Sequence, residues 1–150
     1  MNTTVTVKDN SKEVISRLEL GKKRGLEAIG MTAERYAKEV LSQVVYVDDP
    51  DRTWLLTGRL RNSITYALSG EGAHITRYTA DDGSAGGVYE GTAPDDTVKS
   101  VYIGTNVVYA AGIELGTHRR KGAVHFLQKA VTEHTAEYTQ LMSDSIKAQI

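Results

Sequence analysis

Cysteine is absent from this chain of 150 residues, and so are long apolar runs. The missing thiols exclude disulfide bonds, thiolate catalysis and cysteine-based zinc sites, and they fit a reducing compartment. No stretch reaches the roughly 20 consecutive apolar residues that a bilayer-crossing helix needs. Residues 1–10 also lack the apolar core of a signal peptide. We therefore expect a soluble protein with no membrane partner.

A large charge excess is also lacking, since the net charge is −1 and the pI is near 6.4. The chain as a whole is not attracted to nucleic acid or to anionic lipid. The charges are unevenly placed, because the glycine-rich segment 80–97 holds five acids and no base: Asp81, Asp82, Glu90, Asp95 and Asp96. A loop this long is typically functional or disordered. It is either a solvated acidic loop or a surface that faces a partner or a lumen.

A long helix is predicted to begin near Ser11, because apolar residues then recur with the 3.6-residue period as far as Val44. Ser11 is a candidate N-cap. The segment 48–51 ends the helix, since the residue before a proline avoids the α region. Glycines 21, 25 and 30 each cost about 1 kcal/mol relative to alanine. They mark a kink, a break into two helices, or a close approach by another backbone.

Short alternating segments predict strands in the middle of the chain. Residues 63–69 and 73–79 form a candidate hairpin, and residues 98–104 form a further strand. A short helix within 109–117 is followed by a second long helix over 125–150. This order predicts an α+β fold, in which a small antiparallel sheet packs against two long helices in one domain spanning the whole chain.

Motifs for cofactor chemistry are weak. The sequence GTHRRKG at 116–122 superficially suggests a phosphate loop, but Gly122 follows Lys121 where such a loop needs Ser or Thr. Glu114 and His118 are spaced like metal ligands on a helix, but Gly116 lies between them and no third ligand is suitably placed. We expect no nucleotide, metal or other cofactor.

Motifs for catalysis and for nucleic-acid recognition are also weak. No Gly-x-Ser-x-Gly sequence occurs, and the four histidines suggest no catalytic triad. The basic clusters at 22–24, 59–61 and 118–121 lack interleaved aromatic residues, so they do not indicate a sequence-specific binder. They are solvated charge, or contacts with the acidic loop of a neighbouring subunit, or passing contacts with DNA phosphates. We therefore expect no enzyme.

Three segments stand in a recognisable order: TGRLRNSI at 57–64, VYIGTNVVYAAGIELGT at 101–117 and HFLQKAV at 125–131. Together they resemble the hallmark motifs of a family of tailed-phage proteins, the head–tail joining or tail-completion proteins, which include minor capsid proteins and tail components. The residues that match the pattern are Thr57, Gly58, Leu60, Ser63, Ile64, Tyr109, Ala110, Glu114, Gly116, Thr117, Phe126, Leu127 and Ala130. The family pattern has a proline where this chain has His125, and segment 80–97 is longer than the family leads us to expect.

Several of these motif residues also have an expected role in the fold. The Thr57–Gly58 pair allows a tight turn into the sheet. Gly116 ends the short helix in the left-handed conformation. The Phe126–Leu127 pair seats the last helix on the sheet. Glu114 is either exposed on one helix face or paired with one of two arginines, Arg59 or Arg61.

The resemblance implies a non-enzymatic structural protein of the virion neck, assembled in the host cytoplasm. Such a protein joins the tail to the head-side connector as a homo-oligomeric ring, for which a hexamer is the first expectation and a dodecamer the second. The implied partners are a head-side connector or stopper protein and a tail terminator or tail tube protein. Genomic DNA passes through the lumen without sequence-specific binding.

Charged loops are the expected subunit contacts. One is the acidic segment 80–97, and the other is the basic loop that contains His118, Arg119, Arg120 and Lys121. Acids that face the lumen would help DNA to slide through it. The alternative function is a small-molecule or nucleic-acid-acting domain, with a site formed by Glu114, His118, Arg119 and Arg120.

Overall fold

The computed structural model describes residues 8–45, 58–69, 99–116 and 122–150. Its elements in chain order are α1 (Ser11–Val45), α2 (Arg59–Ser63), β1 (Thr65–Leu68), β2 (Val101–Gly104), α3 (Ala110–Leu115), α4 (Phe126–Thr132) and α5 (Thr135–Lys147). The fold is α+β, as predicted. Helix α1 packs against both strands of a two-stranded antiparallel sheet and also against α4 and α5.

Helix α1 is one unbroken helix of 35 residues, roughly 52 Å long. Helix α1 begins at Ser11, and its first helical bond runs from the N–H of Val14 to the carbonyl of Asn10 at 3.1 Å. Asn10 therefore holds the N-cap position, and the predicted N-cap, Ser11, is wrong. The Asp9 carboxylate accepts the backbone N–H of Ser11 at 2.9 Å. A Cβ placed on Gly21 would lie 3.0 Å from the Cα of Ile146 in α5. Close approach by another backbone is therefore the correct interpretation of this glycine.

The two strands of the sheet are each four residues long, which is shorter than the sequence predicted. Thr65 pairs with Gly104 and Leu68 with Val101, and all four residues of β1 are buried. The buried Ser69 Oγ accepts the backbone N–H groups of Lys99 at 2.7 Å and of Ser100 at 3.0 Å, which ties the end of β1 to the start of β2. The predicted strand 73–79 lies outside the described residues.

The long helix predicted over 125–150 is two helices, α4 and α5, separated by a turn at Glu133 and His134. In a continuous helix the carbonyl of Ala130 would accept the N–H of His134. Here the hydroxyl of Tyr138 donates to that carbonyl instead. The His134 ring stacks on the Tyr36 ring of α1, with centroids 3.4 Å apart. The break allows α4 and α5 to pack on different parts of α1.

One buried cluster holds α1, α2, α3 and α4 together; its members are Ala37, Leu41, Leu60, Ile64, Val107, Ala110, Ile113, Val124, Phe126 and Ala130. Phe126 is fully buried there. It fastens α4 to α1, α2 and α3, and Ile103 of β2 packs against the same cluster from the side of the sheet. Leu127 is half-buried and packs against the cluster from outside. Burying a large apolar side chain contributes about 1.5–3 kcal/mol, which makes Phe126 a major anchor.

Candidate functional site

The three segments that carry the family resemblance meet in space. Leu60 and Ile64 come from the first segment, Ala110 from the second and Phe126 from the third, and all four belong to the buried cluster. The first two segments are also joined by a hydrogen bond of 2.6 Å between the hydroxyls of two residues, Ser63 and Thr105. The matched motif residues in the described part of the chain therefore act largely as determinants of the fold.

Glu114 illustrates this role most clearly. Its Oε2 accepts the backbone N–H of Leu127 at 2.9 Å, and its Oε1 accepts that of Gln128 at 2.9 Å. These two donors are the second and third residues of α4, the ones that an N-cap side chain normally satisfies. The N-cap residue itself, His125, makes no such bond through its side chain. A carboxylate from α3 therefore caps α4 across the loop between them.

The expected partners of Glu114 are accordingly wrong. Both carboxylate oxygens are engaged by backbone donors, and the side chain is half-buried instead of freely exposed. Arg61 donates to the Ser42 Oγ at 3.4 Å and not to Glu114. Within the described residues, no ion pair joins Glu114 to Arg59 or Arg61.

The two ends of the basic loop are tied together at their bases. The carbonyl of Ile113 accepts the N–H of Val124 at 2.9 Å, and the carbonyl of Glu114 accepts that of His125 at 3.2 Å. Gly116 has φ 80° and ψ 161°, so its φ is positive but its conformation is not the predicted left-handed one. The hydrogen bonds from the N–H groups of Val124 and His125 satisfy carbonyls at the end of α3 that have no partner within this short helix.

His125 departs from the family pattern in conformation as well as in residue type. Its backbone has φ 53° and ψ 43°, in the left-handed region, which is unusual for a residue other than glycine. A proline is fixed near φ −65° and could not occupy this position. In the third segment, therefore, Phe126 and Leu127 match the family pattern, but the backbone before them does not.

The second residue of the first segment, Gly58, has a backbone conformation that favours glycine. Gly58 has φ 62° and ψ 2°, and it stands immediately before α2. Its carbonyl accepts the N–H of Asn62 at 3.0 Å, so it closes the single turn of this helix. Gly58 therefore leads into α2 and not, as the sequence predicted, directly into the sheet, while Thr57 lies outside the described residues.

An apolar groove opens beside the buried cluster, between the end of β2, helix α3 and Leu127. Its volume is about 360 Å³. Val108 is 96% exposed and Leu115 is 72% exposed on its rim. Tyr109, which precedes α3, is exposed next to Val108. We call this feature the α3 groove; it is an apolar surface that the described part of the chain leaves open.

A second apolar surface lies at the start of α1. Every residue from 8 to 20 is exposed, so the first turns of α1 project from the rest of the fold. Val14, Ile15 and Leu18 are among the exposed apolar side chains there, with Ile15 at 55%. We call these three residues the α1 stripe. The sequence pattern identified Ile15 and Leu18 as apolar helix positions, but it did not show that the other described residues leave them uncovered.

A polar cluster joins α1 to the start of α5. The Tyr36 hydroxyl donates to Glu137 Oε2 at 2.6 Å, and this bond raises the pKa of Tyr36. Arg35 lies 4.3 Å from the centre of the Tyr36 ring and 4.0 Å from Glu137 Oε1. Burial raises the pKa of Tyr138 to about 12. These contacts fix the position of α5 on α1.

The charged residues predicted to form the subunit contacts lie outside the described residues: Asp81, Asp82, Glu90, Asp95, Asp96, His118, Arg119, Arg120 and Lys121. Thr117 lies outside them as well. In the part of the chain that the structure does describe, no three His, Asp or Glu side chains are grouped to hold a metal ion. No helix in that part is both long enough and apolar enough to span a membrane.

Comparisons with family models, with curated proteins and with solved structures found no match to this chain.

Proposed function

We propose that this protein is a non-enzymatic subunit of an oligomeric ring in the neck of a tailed-phage particle, where it joins the tail to the head-side connector. The observation that carries the proposal is the pair of separate exposed apolar surfaces, the α1 stripe and the α3 groove. Two different surfaces on one chain favour head-to-tail contacts, and such contacts form a ring when the rotation closes. A hexamer is the first choice and a dodecamer the second.

The structural roles of the motif residues support the same function. They resemble those of phage head–tail joining proteins, and those that the structure describes are placed mainly in the core and at the caps of helices. A scaffold that holds a defined shape is what a structural ring requires. The proposed neighbours along the particle axis are a connector or stopper protein on one side and a tail terminator or tail tube protein on the other.

The alternative function, a small-molecule or nucleic-acid-acting site around Glu114, is less favoured. Both oxygens of Glu114 already accept backbone N–H groups at the start of α4, so a ligand at this carboxylate would compete with the capping of that helix. Using Glu114 in such a site would uncap α4. The three other residues of that site, His118, Arg119 and Arg120, lie outside the described residues.

The test begins with the purified protein. Native mass spectrometry and negative-stain images across a concentration series should show a closed ring of defined order. In the phage that encodes the protein, a null allele should yield separate full heads and complete tails, and supplying the protein in trans should restore joined particles. Normal infectious particles from the null phage would refute the neck function, whatever the oligomeric state in solution.

A further inference from the structure

We infer that the α1 stripe of one copy docks into the α3 groove of the next copy, so that these two surfaces form the repeating contact of the assembly. The inference rests on the proposed ring, since it names the surfaces that would build it. Its occupant is a second copy of this chain. Three observations support that choice. The stripe continues the α1 face that packs against α5, it lies far from the α3 groove of the same chain, and the charges around it are balanced.

The stripe continues a helix face that is already used for packing. Gly21 and Gly25 of α1 face α5, because a Cβ on either would contact α5 atoms. Leu18 and Val14 come three and seven residues before Gly21, so they lie on the same face of α1. Helix α5 ends at Lys147, close to the level of Gly21. The α1 face that binds a helix thus extends beyond the helix that covers it.

The stripe cannot reach the groove of its own chain. The groove residues Val107 and Ala110 pack in the buried cluster with Ala37 and Leu41 of α1. Nineteen residues separate Leu18 from Ala37, which corresponds to about 28 Å along a continuous helix. Only another molecule can bring the two surfaces together. One head-to-tail contact would cover both of them, whereas a twofold contact between two stripes would leave both grooves open.

The charges around the stripe favour a contact made by apolar side chains. Residues 8–20 carry three basic and three acidic groups: Lys8, Lys12, Arg17, Asp9, Glu13 and Glu19. Arg17 is already paired with Glu13 at 2.7 Å. The groove is lined mainly by apolar side chains, and its one carboxylate, Glu114, is occupied in capping α4. Neither surface therefore offers a strong charge that the other would have to neutralise.

Site-directed cross-linking tests this pairing directly, because the chain contains no cysteine. Leu18→Cys and Leu115→Cys place one thiol on each surface at exposed positions. The two proteins are mixed at the concentration that gives the assembly and treated with a short bismaleimide. We expect a linked dimer that contains one copy of each variant, and little product from either variant alone.

Substitution provides an independent measurement. Leu18→Glu and Leu115→Glu should each weaken self-association at least tenfold in sedimentation experiments, because each puts a charge into an apolar contact. Met31→Glu is the matched control: Met31 is also exposed on α1 but lies outside the stripe. It should assemble like the wild type. Because all three sites are exposed, circular dichroism should show native helix content in each variant.

The outcomes separate this inference from the proposed function. A mixed cross-linked dimer supports the pairing. A dimer from Leu18→Cys alone shows a twofold contact between stripes and overturns the pairing. A ring seen by mass without any cross-link, or unaltered by either glutamate variant, also overturns the pairing but leaves the ring function standing. A protein that stays monomeric at all concentrations and in the presence of its tail overturns both.

Discussion

At the residue scale, a carboxylate on α3 sets the start of α4, which shows how a short motif acts through contacts across a loop. Glu114 supplies two charge-assisted hydrogen bonds to a helix whose own N-cap residue supplies none. Hydrogen bonds to charged groups contribute more than neutral ones, about 1.5–3 kcal/mol. The acid of the Glu-x-Gly-Thr sequence is therefore accounted for by helix capping.

Replacing Glu114 by alanine should lower the free energy of unfolding by about 1–3 kcal/mol, because two backbone donors at the start of α4 lose their acceptor. Glu114→Gln should lose less, since its amide oxygen still accepts one N–H. Urea unfolding at low protein concentration measures both. Glu133→Ala removes an exposed acid near the end of α4 and should change stability by less than about 0.5 kcal/mol. Equal losses in the alanine variants would contradict the capping role.

His125 provides a test of the one position where the chain departs from the family pattern. Introducing the proline of that pattern with His125→Pro should destabilise the fold by about 3 kcal/mol, because proline is incompatible with the positive φ and removes the N–H that bonds to the Glu114 carbonyl. His125→Gly suits the observed φ and should fold at least as stably as the wild type. Thermal melts compare the three proteins. A proline variant with wild-type stability would mean that His125 does not hold the left-handed conformation at the start of α4.

Tyr138 gives a pH dependence with a defined sign. The ordinary tyrosine pKa is about 10, and burial raises that of Tyr138 to about 12. The raised pKa of Tyr138 contributes to the free energy of unfolding, and this contribution is fully present below pH 10. It declines between pH 10 and 12, because there the unfolded chain loses the proton that the folded chain retains.

Tyr138→Phe should therefore make the urea midpoint fall less steeply above pH 10. At pH 7 it should cost about 1 kcal/mol for the lost hydrogen bond to Ala130. Tyr102→Phe, at an exposed tyrosine on β2, is the control. An alkaline slope in Tyr138→Phe as steep as in the wild type would contradict the assignment.

At the element scale, glycines decide how closely α1 approaches its neighbours. A Cβ on Gly30 would lie 2.5 Å from Cδ2 of Tyr66 and 2.9 Å from Cγ2 of Val101, so the sheet packs directly on the helix backbone. A Cβ on Gly25 would lie 2.6 Å from Sδ of Met142. Glycine lowers the helix propensity of α1, but at these two positions it allows the sheet and α5 to pack closely on the helix.

Gly30→Ala should destabilise the protein, although alanine favours helix by about 1 kcal/mol. Overpacking costs about 1–3 kcal/mol, and the buried Tyr66 ring has little room to move. We expect a net loss of about 1 kcal/mol, measured by urea unfolding. Gly104→Ala is the matched control, because a Cβ there meets nothing within 4 Å. A gain in stability for Gly30→Ala would show that the ring is not confined.

Local patterns in the sequence predicted the elements better than their contacts. The apolar period predicted α1 and the helical character of 126–147, alternation predicted β1, and the apolar residues of 98–104 predicted β2. The break at His134 was not predictable, because it depends on a stack with Tyr36, which lies far away in the chain. The role of Glu114 was missed for a similar reason, since its partners are backbone N–H groups, which every residue except proline carries. Periodicity also could not show that the described part of the chain leaves the α1 stripe uncovered.

At the scale of the whole molecule, two different contacts could build the proposed ring, and they can be distinguished. The sequence predicted contacts between charged loops, the acidic segment 80–97 and the basic loop at 118–121. The described residues instead present two apolar surfaces. The two kinds of contact respond oppositely to salt. Attraction between exposed charges is screened, since the Debye length falls from about 10 Å at 0.1 M to about 3 Å at 1 M ionic strength. Apolar contacts are strengthened by salts that are excluded from the protein surface.

The assembly should therefore persist when sodium chloride is raised from 0.1 to 1 M, and ammonium sulfate at equal ionic strength should strengthen it. Sedimentation velocity at fixed protein concentration measures the oligomer fraction under each condition. A variant with Asp81, Asp82, Asp95 and Asp96 changed to Asn is the control, because it removes four acids of the segment and should assemble like the wild type. If 1 M salt dissociated the ring and this variant failed to form it, the charged loops would be the main contact. The two apolar surfaces would then be available for the head-side or tail-side partner.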